Sequence, residues 1–368
     1  MNVPAANTKS VKDLATVASE TTLASLHTRL DIGEHIVALA WSPDGRSVAI
    51  AGADGGVFLI DAAPANANFE NRTDPLIRRL GQHPQGALTV AFTRDGASIV
   101  SGGQDSRVRV FLRSGDTCER VIELPDAWVG QVSCSDDGRW LAVASGRCVS
   151  VYDANSLAPL HVYPALPATV EALAFAPSSR QIAAATYGGV MLLTPFAPFG
   201  MRMLAWEGAC LAIAWRPDAS VIAAGGQDAS VQFWRLPKGK RAEMSRFDTK
   251  VREVAWNGSG RWLATGGGSD IVLWDFKTGP EGSPSRLLSC HSERITALSW
   301  QRRGELLAST ARDSKLLIWR PGRSHLPVSG YPLMSRPTTL AWSPDDRLLA
   351  IGGDGGELSI IQPGQTRA

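Results

Sequence analysis

The sequence predicts an all-β fold, in which repeated four-stranded sheets close into the ring called a β-propeller. The first observation is the segment Arg294–Arg320, which holds three short apolar runs, ITALSW, ELLAST and KLLIW, separated by the polar turns QRRG and ARDS. The alternation of aliphatic, Thr and aromatic residues in these runs is typical of β-strands. The second observation is that this pattern recurs along the chain. The third is that an extra strand precedes the first copy, while the last copy ends one strand short.

The recurrence has a nearly constant spacing. With Trp300 as the anchor, equivalent segments align on Trp41, Phe92, Cys134, Phe175, Trp215, Trp256, Trp300 and Trp342. Successive anchors are 51, 42, 41, 40, 41, 44 and 42 residues apart, close to the roughly 40–45 residues of a four-stranded propeller blade. The sequence therefore predicts eight units, numbered one to eight in chain order.

The ends of the chain predict how the ring closes. A strand-like segment near Leu23–Leu30 precedes unit one, and unit eight ends on its third strand, LSII. If the first strand becomes the outer strand of unit eight, no edge is left unpaired. We therefore predict an eight-bladed propeller over residues 22–362, with a flexible tail at 1–21 and a short tail at 363–368. The alternative is a seven-bladed ring in which one worn unit is absorbed elsewhere.

Each unit is justified by its own strands and turns. Unit one reads IVALAWSPDGRSVAIAGADGGVFLID, where SPDG and ADGG are turn signals between alternating strands. Residues 62–75, AAPANANFENRTDP, interrupt the pattern and predict an exposed loop, which explains the first, longer spacing. Unit two restarts at ALTVAF, units three and four are the most worn copies, and units five to eight restart at CLAIAW, VREVAW, ITALSW and TTLAW.

Composition excludes several classes of protein. The 368 residues are 44% hydrophobic with a net charge of +2, so neither disorder nor a general affinity for nucleic acid or membranes is indicated. The five cysteines are scattered and never form a C-x-x-C pair, which indicates a reducing compartment. The N-terminus has no continuous apolar h-region, and no apolar run is long enough to span a membrane. We expect a cytoplasmic protein without a cofactor.

The units resemble those of the WD40 family, over residues from about 22 to 362. Unit seven carries the resemblance best, through His291, Ser309, Asp313 and Trp319. The resemblance implies that these four side chains form a hydrogen-bonded structural set inside one blade. Unit two keeps part of the set, as His83, Ser101 and Asp105, but has Phe111 for the tryptophan, and the literal Trp-Asp pair occurs only as Trp274-Asp275.

The usual catalytic motifs are absent from the sequence. It has no G-x-S-x-G, no Gly-rich loop ending in Gly-Lys-Ser/Thr, no H-E-x-x-H and no paired Cys and His metal ligands. Apart from His27 and His35, which are eight residues apart, the six histidines are separated by about one unit or more. We therefore predict a non-catalytic scaffold for protein–protein interaction. The alternative from another class is a propeller enzyme that acts on a small molecule in the central channel.

The resemblance also implies where partners dock, because the residue just before each first strand lies on the rim of the top opening. In unit order these residues are His35, Gly86, Trp128, Thr169, Ala209, Lys250, Arg294 and Arg336. The basic ones fall in units six, seven, eight and one, which a closed ring makes consecutive, and Arg252 lies beside them. We predict that His35, Trp128, Lys250, Arg252, Arg294 and Arg336 bind a protein partner or acidic peptide, with Trp128 as an apolar anchor. We expect the ring itself to be monomeric.

The opposite turns suggest a further alternative. Each turn between the first and second strands contains arginine, namely Arg46, Arg94, Arg139, Arg180, Arg216, Arg261, Arg302, Arg303 and Arg347. Such a ring of positive charge could bind RNA or another polyanion. Aspartates in the same turns argue for ordinary solvated turn residues instead.

Overall fold

A computed structural model describes residues 24–62, 77–115, 117–125, 127–177, 181–195, 200–245, 247–277 and 285–364. Every regular element in these residues is a β-strand. The prediction of an all-β fold is thus confirmed. The tail predicted at 1–21, most of the loop predicted at 62–75, Arg180 and residues 365–368 lie outside the described residues.

The strands form seven hydrogen-bonded sheets, six of which contain four strands. Unit one holds β2 (Ile36–Trp41), β3 (Ser47–Gly52), β4 (Gly56–Asp61) and β5 (Ile77–Gln82). Unit two holds β6 (Ala87–Phe92), β7 (Ser98–Gly103), β8 (Arg107–Leu112) and β9 (Cys118–Glu123), and unit three holds β10 (Val129–Cys134), β11 (Trp140–Ser145), β12 (Cys148–Asp153) and β13 (Pro159–Val162). Unit six holds β20 (Val254–Trp256), β21 (Trp262–Thr265), β22 (Ile271–Asp275) and β23 (Ser285–Leu288), and unit seven holds β24 (Ile295–Trp300), β25 (Leu307–Ala311), β26 (Lys315–Trp319) and β27 (Pro327–Pro332). Unit eight holds β28 (Pro337–Trp342), β29 (Leu349–Gly353) and β30 (Glu357–Gln362), with β1 (Ser25–Asp31) beside β30.

Units four and five share the remaining sheet. Its six strands are β14 (Ala172–Phe175), β15 (Ile182–Leu193), β16 (Met201–Trp215), β17 (Val221–Gly226), β18 (Val231–Arg235) and β19 (Lys240–Met244). The first half of β15 pairs with β14 and its second half with the start of β16, while the end of β16 pairs with β17. Two long strands therefore replace four ordinary ones.

The cause of this merger is local. Elsewhere a loop separates the outer strand of one unit from the inner strand of the next, but here residues 206–209 continue as strand, and Tyr187 pairs with Ala209. Gly188 and Gly189 adopt positive φ angles of 92° and 127° at the middle of β15. A Cβ atom on Gly189 would lie 2.1 Å from the carbonyl oxygen of Leu204, so only glycine allows this close approach.

The sheet count matches the alternative of seven blades, in which a worn unit is absorbed elsewhere. All eight repeats still contribute an inner strand, and these strands contact one another in the order β2, β6, β10, β14, β16, β20, β24, β28 and back to β2. Units six, seven, eight and one are therefore consecutive around the ring, as the sequence predicted.

The N-terminal strand closes the ring. β1 pairs antiparallel with β30, from Ser25 opposite Gln362 to Asp31 opposite Glu357. Unit eight thereby gains the fourth strand that its own sequence lacks, and the edge of β30 is covered. The predicted closure by an N-terminal strand is confirmed.

The core lies between consecutive units. A cluster of buried aliphatic and aromatic side chains fills each of these spaces, including the one between units eight and one. The anchor tryptophans also link neighbours, because each indole Nε1–H donates to a carbonyl of the preceding inner strand. These bonds run from Trp41 to Ala341, Trp215 to Ala174, Trp256 to Ala214, Trp300 to Ala255 and Trp342 to Ser299, at 2.9–3.3 Å.

Candidate functional site

One face of the ring, here called the rim face, carries the residues that precede or begin the inner strands, together with the turns between second and third strands. Backbone hydrogen bonds hold these two sets of segments together in units one, two, three, five, seven and eight. Ala53 N–H donates to the His35 carbonyl at 2.8 Å, Arg312 N–H to Arg294 at 3.0 Å and Asp354 N–H to Arg336 at 2.9 Å. The predicted partner-binding residues are thus fixed by backbone contacts, while most of their side chains face solvent.

The four basic units form one continuous arc of the rim face, here called the basic arc and defined by His35, Lys250, Arg252, Arg294 and Arg336. Between units seven and six, Ile295 N–H donates to the Gly268 carbonyl at 2.9 Å. Between units eight and one, the Thr338 hydroxyl donates to the Ile36 carbonyl at 2.6 Å. The side chains of His35, Lys250, Arg252 and Arg336 are exposed.

The charge of the arc is uneven. In unit one, the Glu34 carboxylate beside His35 accepts hydrogen bonds from Asp54 N–H and Gly56 N–H at 2.9 and 3.2 Å. In unit eight, Asp354 accepts one from Arg336 N–H at 3.1 Å. Acidic side chains therefore reduce the positive charge at both ends of the arc. Lysine and arginine side chains of the arc are concentrated in units six and seven.

Arg294 is the least exposed cation of the basic arc. Its side chain is 28% exposed, and Nη2 lies 3.7 Å from Oε1 of Glu253, whose side chain is only 6% exposed. The Nε atom of Arg294 is buried and has no hydrogen-bond partner in the described part of the chain. Burial raises the pKa of Glu253 to about 7, although the charges of Arg294 and Arg252 act in the opposite direction.

Trp128 lies in unit three, opposite unit seven in the order of inner strands, and its side chain is 60% exposed. It borders a cleft of about 420 Å3 on the rim face, lined mainly by polar side chains, among them Gln85, Gln104, Arg107 and Glu123. The indole is exposed beside polar groups, and its role as an apolar anchor stays a prediction.

The sequence reading missed two rim residues. Arg312 is exposed in the turn that is bonded to Arg294, and it adds a cation to unit seven. Tyr187, 64% exposed at the bend of β15, adds a second aromatic side chain in unit four, next to the unit of Trp128. Their positions follow from the rule that second-to-third strand turns share the rim face, which would have singled out both.

The four structural residues of unit seven lie together. Trp319 Nε1–H donates to Ser309 Oγ at 2.8 Å, and Ser309 Oγ lies 2.8 Å from His291 Nε2. His291 Nδ1 lies 3.1 Å from Asp313 Oδ2. Because a carboxylate only accepts, Nδ1 carries a hydrogen, and in the neutral imidazole Nε2 accepts from the Ser309 hydroxyl. Burial alone would raise the pKa of Asp313, but the hydrogen bonds from His291 and Ser292 N–H hold it below its usual value.

Unit two has a variant of this set. His83 Nδ1 lies 2.7 Å from Asp105 and Nε2 lies 2.8 Å from Ser101. Phe111 offers no donor, and Arg109 adds an ion pair to Asp105 at 2.6 Å. In the other units the place of His291 is taken by Ile32, Pro125, Leu166, Trp206, Phe247 and Leu333. An apolar residue or proline therefore stands at the place of the histidine in every unit except two and seven.

The opposite face, here called the turn face, carries the turns between first and second strands. Their aspartates cap their own turns, as Asp44 does for the Ser42 hydroxyl and Arg46 N–H. Several arginines are also engaged: Arg261 forms a bidentate pair with Asp275 at 3.0 and 2.7 Å, and Arg216 donates to the Gly260 carbonyl at 2.8 Å. These bonds give Arg216 and Arg261 structural roles, while Arg46, Arg139 and Arg347 are exposed.

Comparison with known proteins identifies the family. The model described as "WD domain, G-beta repeat" matches residues 8–61, 75–111, 116–153, 202–235, 243–275 and 282–320, more than half of the chain. The chain belongs to the WD40 family. The matched residues do not include units four and eight. Unit four shares its sheet with unit five, and unit eight is completed by β1.

Several WD40 proteins are similar over part of their length. Nuclear distribution protein nudF of Aspergillus niger is 24% identical over 61% of this chain and 46% of its own. Protein LST8 homolog of Drosophila melanogaster is 23% identical over 60% of this chain and 75% of its own. Anaphase-promoting complex subunit cdc20 of Dictyostelium discoideum is 25% identical over 40% of this chain and 30% of its own. The chain thus spans less than half of the nudF protein.

A solved structure shares the fold. A chain from the crystal structure of the mitotic checkpoint complex superposes with a TM-score of 0.59 at 19% identity, covering 98% of this WD40 chain and 96% of that one. In the part of the chain that the structure describes, no three His, Cys, Asp or Glu side chains are placed to hold a metal ion. The same residues include no helix long and apolar enough to cross a membrane.

Proposed function

We propose that this WD40 propeller is a non-catalytic platform that docks a partner protein on its rim face, through an acidic segment of the partner. The observation that carries the proposal is the basic arc, in which four consecutive units present basic side chains at the rim, opposite the exposed Trp128. Cationic side chains steer and bind carboxylates, and an exposed indole provides apolar contact area.

The difference between the two faces supports this choice. On the turn face, Arg216 and Arg261 bond to neighbouring segments, and the aspartate carboxylates interleave with the arginines. On the rim face, Lys250, Arg252 and Arg336 are exposed. The basic residues of the rim face are gathered in four consecutive units, whereas the exposed arginines of the turn face, Arg46, Arg94 and Arg347 among them, are spread around the whole ring. A contiguous basic arc suits a short acidic segment, which favours the rim face over polyanion binding by the turns.

The relatives support a platform role in general terms. One is named as a subunit of the anaphase-promoting complex, and the structural neighbour comes from the mitotic checkpoint complex. Both names describe multiprotein assemblies. We also propose that the chain works in a reducing compartment, the cytoplasm, because its five cysteines are all free.

The test is charge reversal on the rim. Lys250→Glu with Arg336→Glu changes two exposed side chains, whereas reversal of Arg294 would place a second carboxylate against Glu253. Binding of a fluorescein-labelled deca-glutamate peptide, followed by anisotropy at low salt, should weaken at least tenfold. Arg46→Glu with Arg139→Glu, two exposed turn-face changes, is the matched control and should bind like the original protein. If only the control variant lost binding, the acidic peptide would bind the turn face, and the proposal would be wrong.

A further inference from the structure

Glu253 occupies a place in the propeller that no other unit gives to a charged residue. It is the third residue of its inner segment, where the other units have Ala38, Thr89, Gln131, Ala172, Ala212, Ala297 and Thr339. Gly266 leaves the room for it, because a Cβ atom there would lie 2.9 Å from Glu253 Oε2. Glu253 is only 8% exposed, so its carboxylate is buried beneath the rim face.

The surroundings of Glu253 are charged on two sides. Within unit six, Arg252 N–H donates to Oε2 at 3.3 Å, and Lys250, Asp248 and Asp270 lie on the adjoining segments. From unit seven come Arg294, with Nη2 3.7 Å from Oε1, its neighbour Glu293 and the exposed Arg312. Arg294 is the cation in direct contact with the buried carboxylate, and it belongs to the basic arc.

The two charge states of Glu253 have different consequences for Arg294. When Glu253 is ionised, it pairs with the guanidinium across the two units and cancels much of its field at the rim. When Glu253 is neutral, the charge of Arg294 is uncompensated and available to a ligand carboxylate. Because burial raises the pKa of Glu253 to about 7, the residue changes state across the neutral pH range.

We propose that Glu253 is a positioning residue that controls Arg294, so that an acidic partner segment binds more tightly when Glu253 is neutral than when it is ionised. This inference rests on the proposed docking function of the rim face. It adds a regulation of that site by pH, carried by one buried inter-unit contact.

The test uses the same deca-glutamate peptide at constant ionic strength, at pH 6 and pH 8. All proteins carry His35→Gln, because imidazoles titrate in this pH range and would contribute a pH effect of their own. A change of about one unit charge this close to the arc should make binding about threefold to tenfold weaker at pH 8. With Glu253→Gln added, affinity should be equal at the two pH values. Glu293→Gln, which removes the exposed neighbouring carboxylate, is the control and should keep the pH ratio.

A second measurement separates the two hypotheses. The carboxyl carbon of Glu253, identified in a 13C-Glu spectrum by its loss in Glu253→Gln, should titrate near neutrality. A midpoint near the ordinary value of 4.5, or an unchanged affinity ratio in Glu253→Gln, would overturn the control by Glu253 and leave the docking function standing. Absence of peptide binding to the unmodified protein at both pH values would overturn the docking function, and this inference with it.

Discussion

The carboxylate of Asp346 in unit eight accepts a hydrogen bond of 2.8 Å from the backbone N–H of Arg303 in unit seven. Two further bonds to the same carboxylate come from Arg302 N–H and Gly304 N–H, at 2.6 and 3.1 Å. Three successive backbone donors thus enclose one side chain, in the manner of an anion-binding nest. The turn of one unit is clamped onto the turn of the next.

Asp346→Gly should destabilise the protein, even though glycine suits the backbone there. Asp346 has a φ of 62°, and glycine occupies the same place in other units as Gly45, Gly96, Gly138 and Gly260. Glycine relieves the strain but loses three charge-assisted bonds, so we expect a net loss of about 1–3 kcal/mol, measured by urea unfolding. Asp346→Asn keeps a hydrogen-bond acceptor, so its free energy of unfolding should lie between those of the original protein and the Gly variant. A variant with glycine that is as stable as the original would show that strain outweighs the clamp.

Ser309→Ala should be more damaging than its size suggests. The Ser309 hydroxyl bonds to Trp319 and His291, and all three side chains are buried. Its removal leaves the indole N–H and the His291 Nε2 atom unsatisfied, at a cost of about 2–4 kcal/mol. Thermal unfolding followed by tryptophan fluorescence measures the loss. Ser101→Ala in unit two is the control, because within its set the Ser101 hydroxyl bonds only to His83. This variant should lose less stability than Ser309→Ala. Equal losses in the two variants would contradict the role of the Trp319 bond.

Trp300→Phe tests the bonds between anchor tryptophans and the preceding unit. Phe fills most of the space, as Phe92 does in unit two, but cannot donate to the Ala255 carbonyl as Trp300 does at 3.1 Å. We expect a loss of about 1–2 kcal/mol in the free energy of unfolding. Trp128→Phe changes an exposed side chain and should leave stability within about 0.5 kcal/mol. Similar losses in both variants would argue that the inter-unit bond contributes nothing.

Glu253→Gln should stabilise the protein in alkaline but not in acidic solution. The folded pKa of about 7 lies above the ordinary 4.5, so between these values the folded state holds a proton that the unfolded state has released. Stability of the original protein therefore falls as the pH rises from about 4.5 to 7. At pH 8 the Gln variant should be more stable by about 1–3 kcal/mol, and below pH 4.5 the difference should vanish. The reverse order of stabilities at pH 8 would show that the pair with Arg294 outweighs burial.

The repeat could be predicted from the sequence because each unit has the same alternation of apolar and polar residues and the same kinds of turn. The anchors from Trp41 to Trp342 fixed the order of units, and hence the order of the basic residues around the rim. The merger of units four and five was not readable, because it depends on residues 206–209 continuing as strand and on the bend at Gly188 and Gly189. The pairing of Tyr187 with Ala209 reveals it.

The candidate site was predictable in its positions but not in its contacts. Glu253 was visible as a carboxylate near the arc, whereas its burial and its contact with Arg294 depend on how two units pack. The rule for second-to-third strand turns places Arg312 on the rim face, 18 residues after Arg294 in the sequence. Its backbone hydrogen bond to the Arg294 carbonyl is seen only in the structure. Periodicity locates residues within a unit, while the interactions between units require the three-dimensional structure.

The register of β1 has a practical consequence. Asp31, opposite Glu357, lies near the rim, because Glu357 follows the turn in which Asp354 bonds to Arg336. Ser25 and Gln362 therefore meet at the far end of their strands. A domain joined directly at Ser25 or at Gln362 would therefore leave the ring on the side away from the basic arc, and the docking face would stay accessible.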